Sequence, residues 1–308
     1  MATEKMSIMM KTPWAGLGKN CVGAKKLDEV LSITNLGFTA QKQPMFLADG
    51  TEIKSKVANV RSDNGTILGI VSPNYSIIQN KEAFEFLDSL VDDGMEFVSG
   101  GASSDGASGW IMGKLDGYKL FDEDITPYLM FKNSFDGTSG IKVNVCMLRQ
   151  VCSNGLTYVI PNKEFSWNIR HTKNANNRFE EAKKTLINVG KYQSAFIEEM
   201  DKLSQIKLTS IKDFTNFLLP DPVGASVSNK TLASLAEQRL IIENLYNTKT
   251  DILKYQMTAY GAYLAITDYV SHATPQRFTK NWEEKRMFSV VDGHKLVNRA
   301  QIYFESLA

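Results

Sequence analysis

The chain has 308 residues, 43% of them hydrophobic and 22% charged, a balance that supports a substantial core and excludes a globally disordered chain. Its net charge is +1, from 35 Lys+Arg against 34 Asp+Glu, which excludes a histone-like polycation and leaves room for a local basic face. Three cysteines without paired spacing, Cys21, Cys146 and Cys152, read as reduced thiols.

The first half reads as strands and turns. Residues 56–72 place two apolar runs around Asn64-Gly65, a hairpin signal. Residues 80–93 look helical, with Phe84, Leu87 and Val91 on one face and Gly94 as the stop. A second hairpin is expected over 95–115, its Gly/Ser tip lacking the Lys-Ser/Thr of a phosphate loop. A third is expected over 126–155, turning at Asp136-Gly137. Local joins of this kind imply adjacent antiparallel strands.

The second half reads as helices. Phe179, Ala182, Leu186, Val189, Gln193, Phe196, Met200 and Leu203 step by threes and fours, a seam at heptad spacing broken only at Gln193. Further helices are expected at 210–219, 229–247, 250–271 and 294–307, with 219–229 as a linker. The fold class expected is α+β: an antiparallel sheet built from local hairpins, followed by a mostly helical C-terminal half. Residues 1–160 form the sheet domain, and residues 161–308 a helical region packed on it and extending from it. No run of about 18 apolar residues is present to span a membrane, and residues 1–18 lack a signal-peptide pattern. The expected compartment is therefore the cytoplasm.

Charge is unevenly spread. Residues 80–126 hold 11 acids and 3 bases, whereas residues 163–191 hold 7 bases and 3 acids. In "FSWNIRH", strand alternation puts Phe165, Trp167, Ile169 and His171 on one side and Asn168 and Arg170 on the other. His171 is then either a core-edge histidine or an acid–base group. A helix capped by Thr172, Asn174 or Asn176 follows, its start ringed by Arg170, Lys173 and Arg178. That is a phosphate site or, on the blander reading, a solvated basic face. Arg149 shares an apolar strand face with Ile141, Val143, Val145, Met147 and Val151, so it is ion-paired or aimed at a ligand. Asp268 and His272 share a helix face, as a carboxylate–imidazole pair or as a helix C-terminal cation. Trp14, Tyr75, Trp110, Tyr128 and Trp167 form a base-stacking platform if they face outward, and ordinary core if they do not. His171, His272 and His294 show no metal-ligand spacing among themselves or with the cysteines, so no metal and no cofactor is expected.

Several phrases carry a resemblance when read in order: "PWAGLG", "NVRSDNGTILGIVSPNYSIIQNKEAFEFLD", "FDGTSGIKVNVCMLRQVCSNGL", "IRHT…EEAKKTL" and "TAYGAYLAITDYVSH". Together, over roughly residues 12 to 300, they resemble the phage/plasmid-like proteins, domain of unknown function 932. Members read Arg-Val-Val-Cys-x-Asn where this chain has Arg149-Gln150-Val151-Cys152-Ser153-Asn154, and carry a histidine in the place of Phe135. The second departure weakens a histidine-dependent site at that turn. The resemblance implies a mobile-element setting and, if a phage encodes the chain, the cytoplasm of a host cell. By loose analogy it also suggests single-strand annealing proteins.

The expected function is therefore a phage- or plasmid-type single-stranded nucleic-acid-binding protein of annealing or recombination type, working as a homo-oligomer without membrane contact. Phosphates are expected on Arg170, Lys173, Arg178, Lys183 and Lys184, with Arg149 nearby and a hydrogen bond from His171; no catalytic residue is expected. Two alternatives stay open. One is a counter-defence protein that binds a host protein through the acidic 80–126 surface. The other is an enzyme with Arg149, His171, Asp268 and His272 in one pocket.

Overall fold

The structure is a computed structural model that describes residues 17–103, 106–152, 154–158, 167–171, 189–222, 227–275, 278–279 and 281–307. The chain divides into two compact units. The first holds Met1–Tyr118, Thr126–Cys146 and Asn162–Val189; the second holds Lys119–Ile125, Met147–Pro161 and Gly190–Ala308.

The first unit is built on strands, as the hairpin signals predict, but in two sheets where the sequence reading expects one. Strands β2 (Ala40–Phe46), β3 (Glu52–Arg61) and β4 (Ile67–Val71) form a three-stranded antiparallel sheet. The Asn64-Gly65 turn joins β3 to β4, with Gly65 at φ +74°, backbone that glycine adopts without steric cost. The larger sheet runs in the order β1 (Lys19–Asn20), β5 (Glu96–Ala102), β6 (Ser108–Lys114), β8 (Glu123–Ser134), β9 (Ile141–Arg149). Strand β7 (Tyr118–Leu120) pairs with β8, and β11 (Trp167–Ile169) lies antiparallel on the first residues of β9.

Gly69 is required where β4 passes the Asp136-Gly137 turn: a Cβ there would collide with the Asp136 backbone. The expected helix over 80–93 is two short ones, α2 (Asn80–Phe84) and α3 (Leu87–Asp92), preceded in the chain by α1 (Leu27–Thr34). Their apolar faces, with Val30, Phe84 and Leu87 fully buried, close one core with Phe97, Ile111 and Phe131 from the larger sheet.

The second unit is mostly helical. It contains α4 (Val189–Gln205, all but its first residue), α5 (Ile211–Leu218), α6 (Asn229–Thr248), α7 (Thr250–Leu253), α8 (Ala259–His272), α9 (Trp282–Val291) and α10 (Lys295–Glu305). The described part of the heptad-spaced seam is buried inside this chain, at Phe196, Met200 and Leu203, with Tyr192 taking the place expected of Gln193. The seam's Phe179, Ala182 and Leu186 lie outside the described residues.

The helix expected over 250–271 breaks in two. Met257 sits at φ +64°, Leu208 N–H donates to Met257 O at 2.9 Å, and Ala259 N–H donates to Ile206 O at 2.9 Å. Thr258 then starts α8 afresh, its side chain accepting from Gly261 N–H at 3.1 Å, the geometry of an N-cap. No described helix is long and apolar enough to cross a membrane.

Candidate functional site

Strand β9 ends at Arg149, and β10 (Asn154–Leu156) returns antiparallel beside it, pairing Asn154 with Arg149. This tight return puts Arg149, Cys152 and Asn154 against the α7–α8 region of the helical unit. The Arg149 guanidinium is fully buried. Its Nε and Nη2 grip the Glu123 carboxylate as a fork, Nη1 reaches Asp251 Oδ2 at 2.7 Å and Cys152 Sγ at 3.3 Å, and Nη2 also reaches Asp251 O at 3.0 Å. An arginine carries five N–H donors, and these five acceptors use all of them. Lys254 Nζ adds a second cation to Glu123 at 2.6 Å.

Burial alone would raise the Glu123 pKa, but Arg149 and Lys254 outweigh it and hold the carboxyl below its usual range. Burial raises the Cys152 thiol to about 11 despite the guanidinium beside it, so this cysteine is a protonated thiol at neutral pH. The expectation that Arg149 sits beside a bound phosphate is corrected here. A guanidinium without a spare donor and without solvent access is a structural ion pair.

A second chain of contacts adjoins the first. Lys249 pairs with Asp268, Asn154 Nδ2 donates to Asp268 Oδ2 at 3.1 Å, and Asn154 Oδ1 and Cys152 O accept from His272 Nε2 at 2.9 and 3.1 Å. Two acceptors on Nε2 fix its proton there and leave Nδ1 as the lone-pair nitrogen. Desolvation of the ring and Lys249 lower the His272 pKa against the opposing pull of Asp268. Arg149, Asp268 and His272 are thus linked through Cys152 and Asn154, whereas the enzyme alternative expected them in one pocket with His171.

His171, the fourth residue of that alternative, belongs to the sheet unit. It is 7% exposed, its Nδ1–H donates to Ser76 O at 3.2 Å, and its ring stacks on Tyr75 with centroids 4.9 Å apart. Among the described residues the buried Nε2 has no partner. Burial lowers the pKa to about 4, with the Ser76 carbonyl and Asp136 opposing. A neutral, enclosed imidazole is the core-edge histidine of the blander reading, and the expected hydrogen bond from His171 to a strand is corrected accordingly.

Residues 168–171 do alternate exposed and buried as the strand pattern requires, and Arg170 is exposed. Among the described residues it meets no carboxylate. Lys173, Arg178, Lys183 and Lys184 lie outside the described residues, as do the capping candidates Thr172, Asn174 and Asn176. The aromatic platform is corrected in part. Trp110 and Tyr128 are core residues, Tyr75 is half-buried against His171, and the Trp14 and Trp167 side chains are not described.

Sequence reasoning passed over a groove in the helical unit. It has a volume of about 620 Å³ and opens between α6, the end of α8 with residues 273–275, and α9. Trp282 and Tyr269 line it with rings, and Lys285 and Arg286 with charge; Glu237 is the one carboxylate among its described lining residues, and Glu283 acts on Arg286 from the same helix. The Arg286 guanidinium lies 4.6 Å from the Trp282 ring centroid, a cation–π distance, and Phe278 meets the same ring edge-on at 5.4 Å. Helix α9 lacks a side-chain cap at Asn281. What marks it in the sequence is an acidic first turn, Glu283 and Glu284, and the i,i+4 pair of Trp282 with Arg286.

No group of three or more potential ligands that could hold a metal occurs among the described residues. The model of the family described as domain of unknown function (DUF932) matches residues 67–291. No curated protein matches the chain, and no solved structure does.

Proposed function

The chain belongs to the DUF932 family, and on that premise we propose that it binds single-stranded nucleic acid, in an annealing or recombination role on a mobile element. The observation that carries the reading is the groove of the helical unit, where Trp282 and Tyr269 offer ring surface and Lys285 and Arg286 offer cations. Proteins that hold single strands combine these two elements, stacking for the bases and positive charge for the backbone. In the sheet unit, exposed Arg170 heads a basic run that continues through Lys173, Arg178, Lys183 and Lys184. These five side chains are proposed to hold phosphates.

The test is a gel-shift series with single-stranded, double-stranded and RNA probes across salt concentrations. Single-strand affinity should fall steeply as salt rises, because bound phosphates release counterions. Replacing Lys183 and Lys184 by Glu should abolish it. Absence of any single-strand shift at low salt overturns the reading.

A second reading, an enzyme, is favoured by the Lys249–Asp268–Asn154–His272 chain, which orients one imidazole nitrogen as a base. It requires strand cleavage or another turnover that His272→Ala removes while circular dichroism shows the chain still folded.

A further inference from the structure

We infer that the groove at Trp282 takes one nucleotide at a time, its phosphate on Lys285 and Arg286 and its base against the Trp282 and Tyr269 rings, with little preference among bases. This rests on the reading above and narrows it from a strand to a single residue of that strand.

Size is the first argument. A volume of about 620 Å³ is in the range of pockets that enclose one small molecule, roughly 300–1,000 Å³. A channel that tracks a strand covers about 4–16 nucleotides per module and is correspondingly longer. Charge points the same way. Lys285 is exposed and has no ion-pair partner among the described residues. Arg286 donates to Ala273 O at 3.5 Å, its one hydrogen bond among the described residues, so most of its fork is available to an anion. His294 adds a neutral donor: its Nδ1 accepts from Leu296 N–H at 3.1 Å, which leaves the proton on Nε2.

Selectivity turns on Gln238. Gln238 is the amide positioned to read a base edge, but it is already engaged. Its Nε2 donates to both Ser234 O and Ser234 Oγ at 3.3 Å, and its Oε1 accepts from Tyr269 OH at 3.1 Å. With both amide hydrogens committed and the Arg286 fork assigned to the phosphate, the described lining keeps ring surface, which every base can use, and no free side-chain amide to distinguish one base from another.

Tryptophan fluorescence of the full chain tests this, taking the wild-type signal minus that of Trp282→Phe. A 5′-mononucleotide should quench that difference signal. The matching nucleoside, which lacks the phosphate, should bind about tenfold or more weakly, as should the mononucleotide on Arg286→Gln, for loss of charge-assisted contacts. The four bases should agree within about threefold, since stacking is sequence-tolerant, and the mononucleotide should displace a bound strand from the groove. If strands shift in gels but the mononucleotide neither quenches nor competes at millimolar concentration, the one-nucleotide site is wrong and strand binding stands. Quenching by the mononucleotide without any strand binding upholds the groove and overturns the strand reading. A strong preference for one base overturns the inference as stated. Arg286→Gln keeps the test decisive where Trp282→Phe perturbs folding.

Discussion

Arg149 and Arg286 sit in the same helical unit and use the same functional group in opposite ways. Arg149 is fully buried and spends every donor on Glu123, Asp251 and Cys152. Arg286 is half-buried, lies over Trp282 and makes one described hydrogen bond. A guanidinium sealed with its counter-ions has nothing left for a ligand, and removing it strands opposite charges in a low-dielectric interior. One held by a ring face keeps its fork for an incoming anion. Residue type therefore says little about function at either position; donor accounting says a good deal.

The largest expected effect falls on the sealed site. Arg149→Met leaves Glu123 and Asp251 without their shared partner and should destabilise the protein by about 3–5 kcal/mol, nearer the lower figure because Lys254 still reaches Glu123. A urea titration followed by circular dichroism measures this. Single-strand affinity, corrected for the folded fraction, should not change. Lost affinity at an unchanged midpoint would place Arg149 on a ligand and erase the contrast with Arg286.

Next comes His171, a base kept neutral by burial. Its folded pKa, about 4, lies below the ordinary value of 6.5, so the unfolded chain takes up a proton that the folded chain refuses. The neutral form's contribution is fully present above pH 6.5 and is lost as the pH falls toward 4. The loss amounts to at most about 3 kcal/mol. Asp136, held ionised below its usual range by bonds from Ser134 and Thr138 that outweigh its burial, adds a separate loss that begins only below its ordinary value of 3.8. His171→Gln should therefore flatten the stability curve between pH 4 and 6.5 and leave a residual acid loss. An unchanged curve would mean that the ring titrates in the fold as it does in the unfolded chain, and that burial does not keep it neutral.

Much of the fold was legible because hairpins and caps are local. Asn64-Gly65, Asp136-Gly137 and Gly94 each stop or turn the chain where the sequence says they must, and the Gly/Ser tip joins β5 to β6 as expected. The division into two sheets was not legible, since nothing local records which strands pair beyond their own hairpin. Nor was the break at Met257, which depends on backbone bonds from Ile206 and Leu208, about 50 positions away. The site divides along the same line. Strand alternation put Arg170 and His171 on opposite sides without saying which is buried, and an arginine on an apolar face left an ion pair and a ligand contact both open. The identity of its partners, Glu123 and Asp251, depends on chain crossings that periodicity does not encode. The Arg149–Cys152–Asn154 spacing was visible as a phrase of the family resemblance, yet its meaning appears only when β10 folds back on β9.

A smaller effect tests whether the two regions share one scaffold. Helix α8 carries Asp268 and His272 toward the sealed network and Tyr269 toward the groove. Thr258→Ala removes its cap bond to Gly261 N–H and should cost about 1 kcal/mol, read as a lower urea midpoint. Groove affinity for a mononucleotide should drop only if the last turn of α8 frays with the first. Equal affinity would show that the groove is set by α6 and α9 instead.

The smallest expected effect on stability is also the sharpest statement of the contrast. Lys285 is exposed, so Lys285→Gln should leave the urea midpoint within about 0.5 kcal/mol of wild type, as for most surface substitutions. Its effect should appear in binding. Each phosphate neutralised on a single strand contributes about 0.7 to the slope of log affinity against log salt. Losing one such contact should therefore reduce the slope by about that amount, alike for all sequences, because a point charge positions a backbone without reading bases. Arg149→Met should show the reverse pattern, a large stability loss with the slope intact. If Lys285→Gln leaves the slope untouched while strands still bind, the cations of the groove lie outside the path of the strand, and the basic run that begins at Arg170 must carry the phosphates alone.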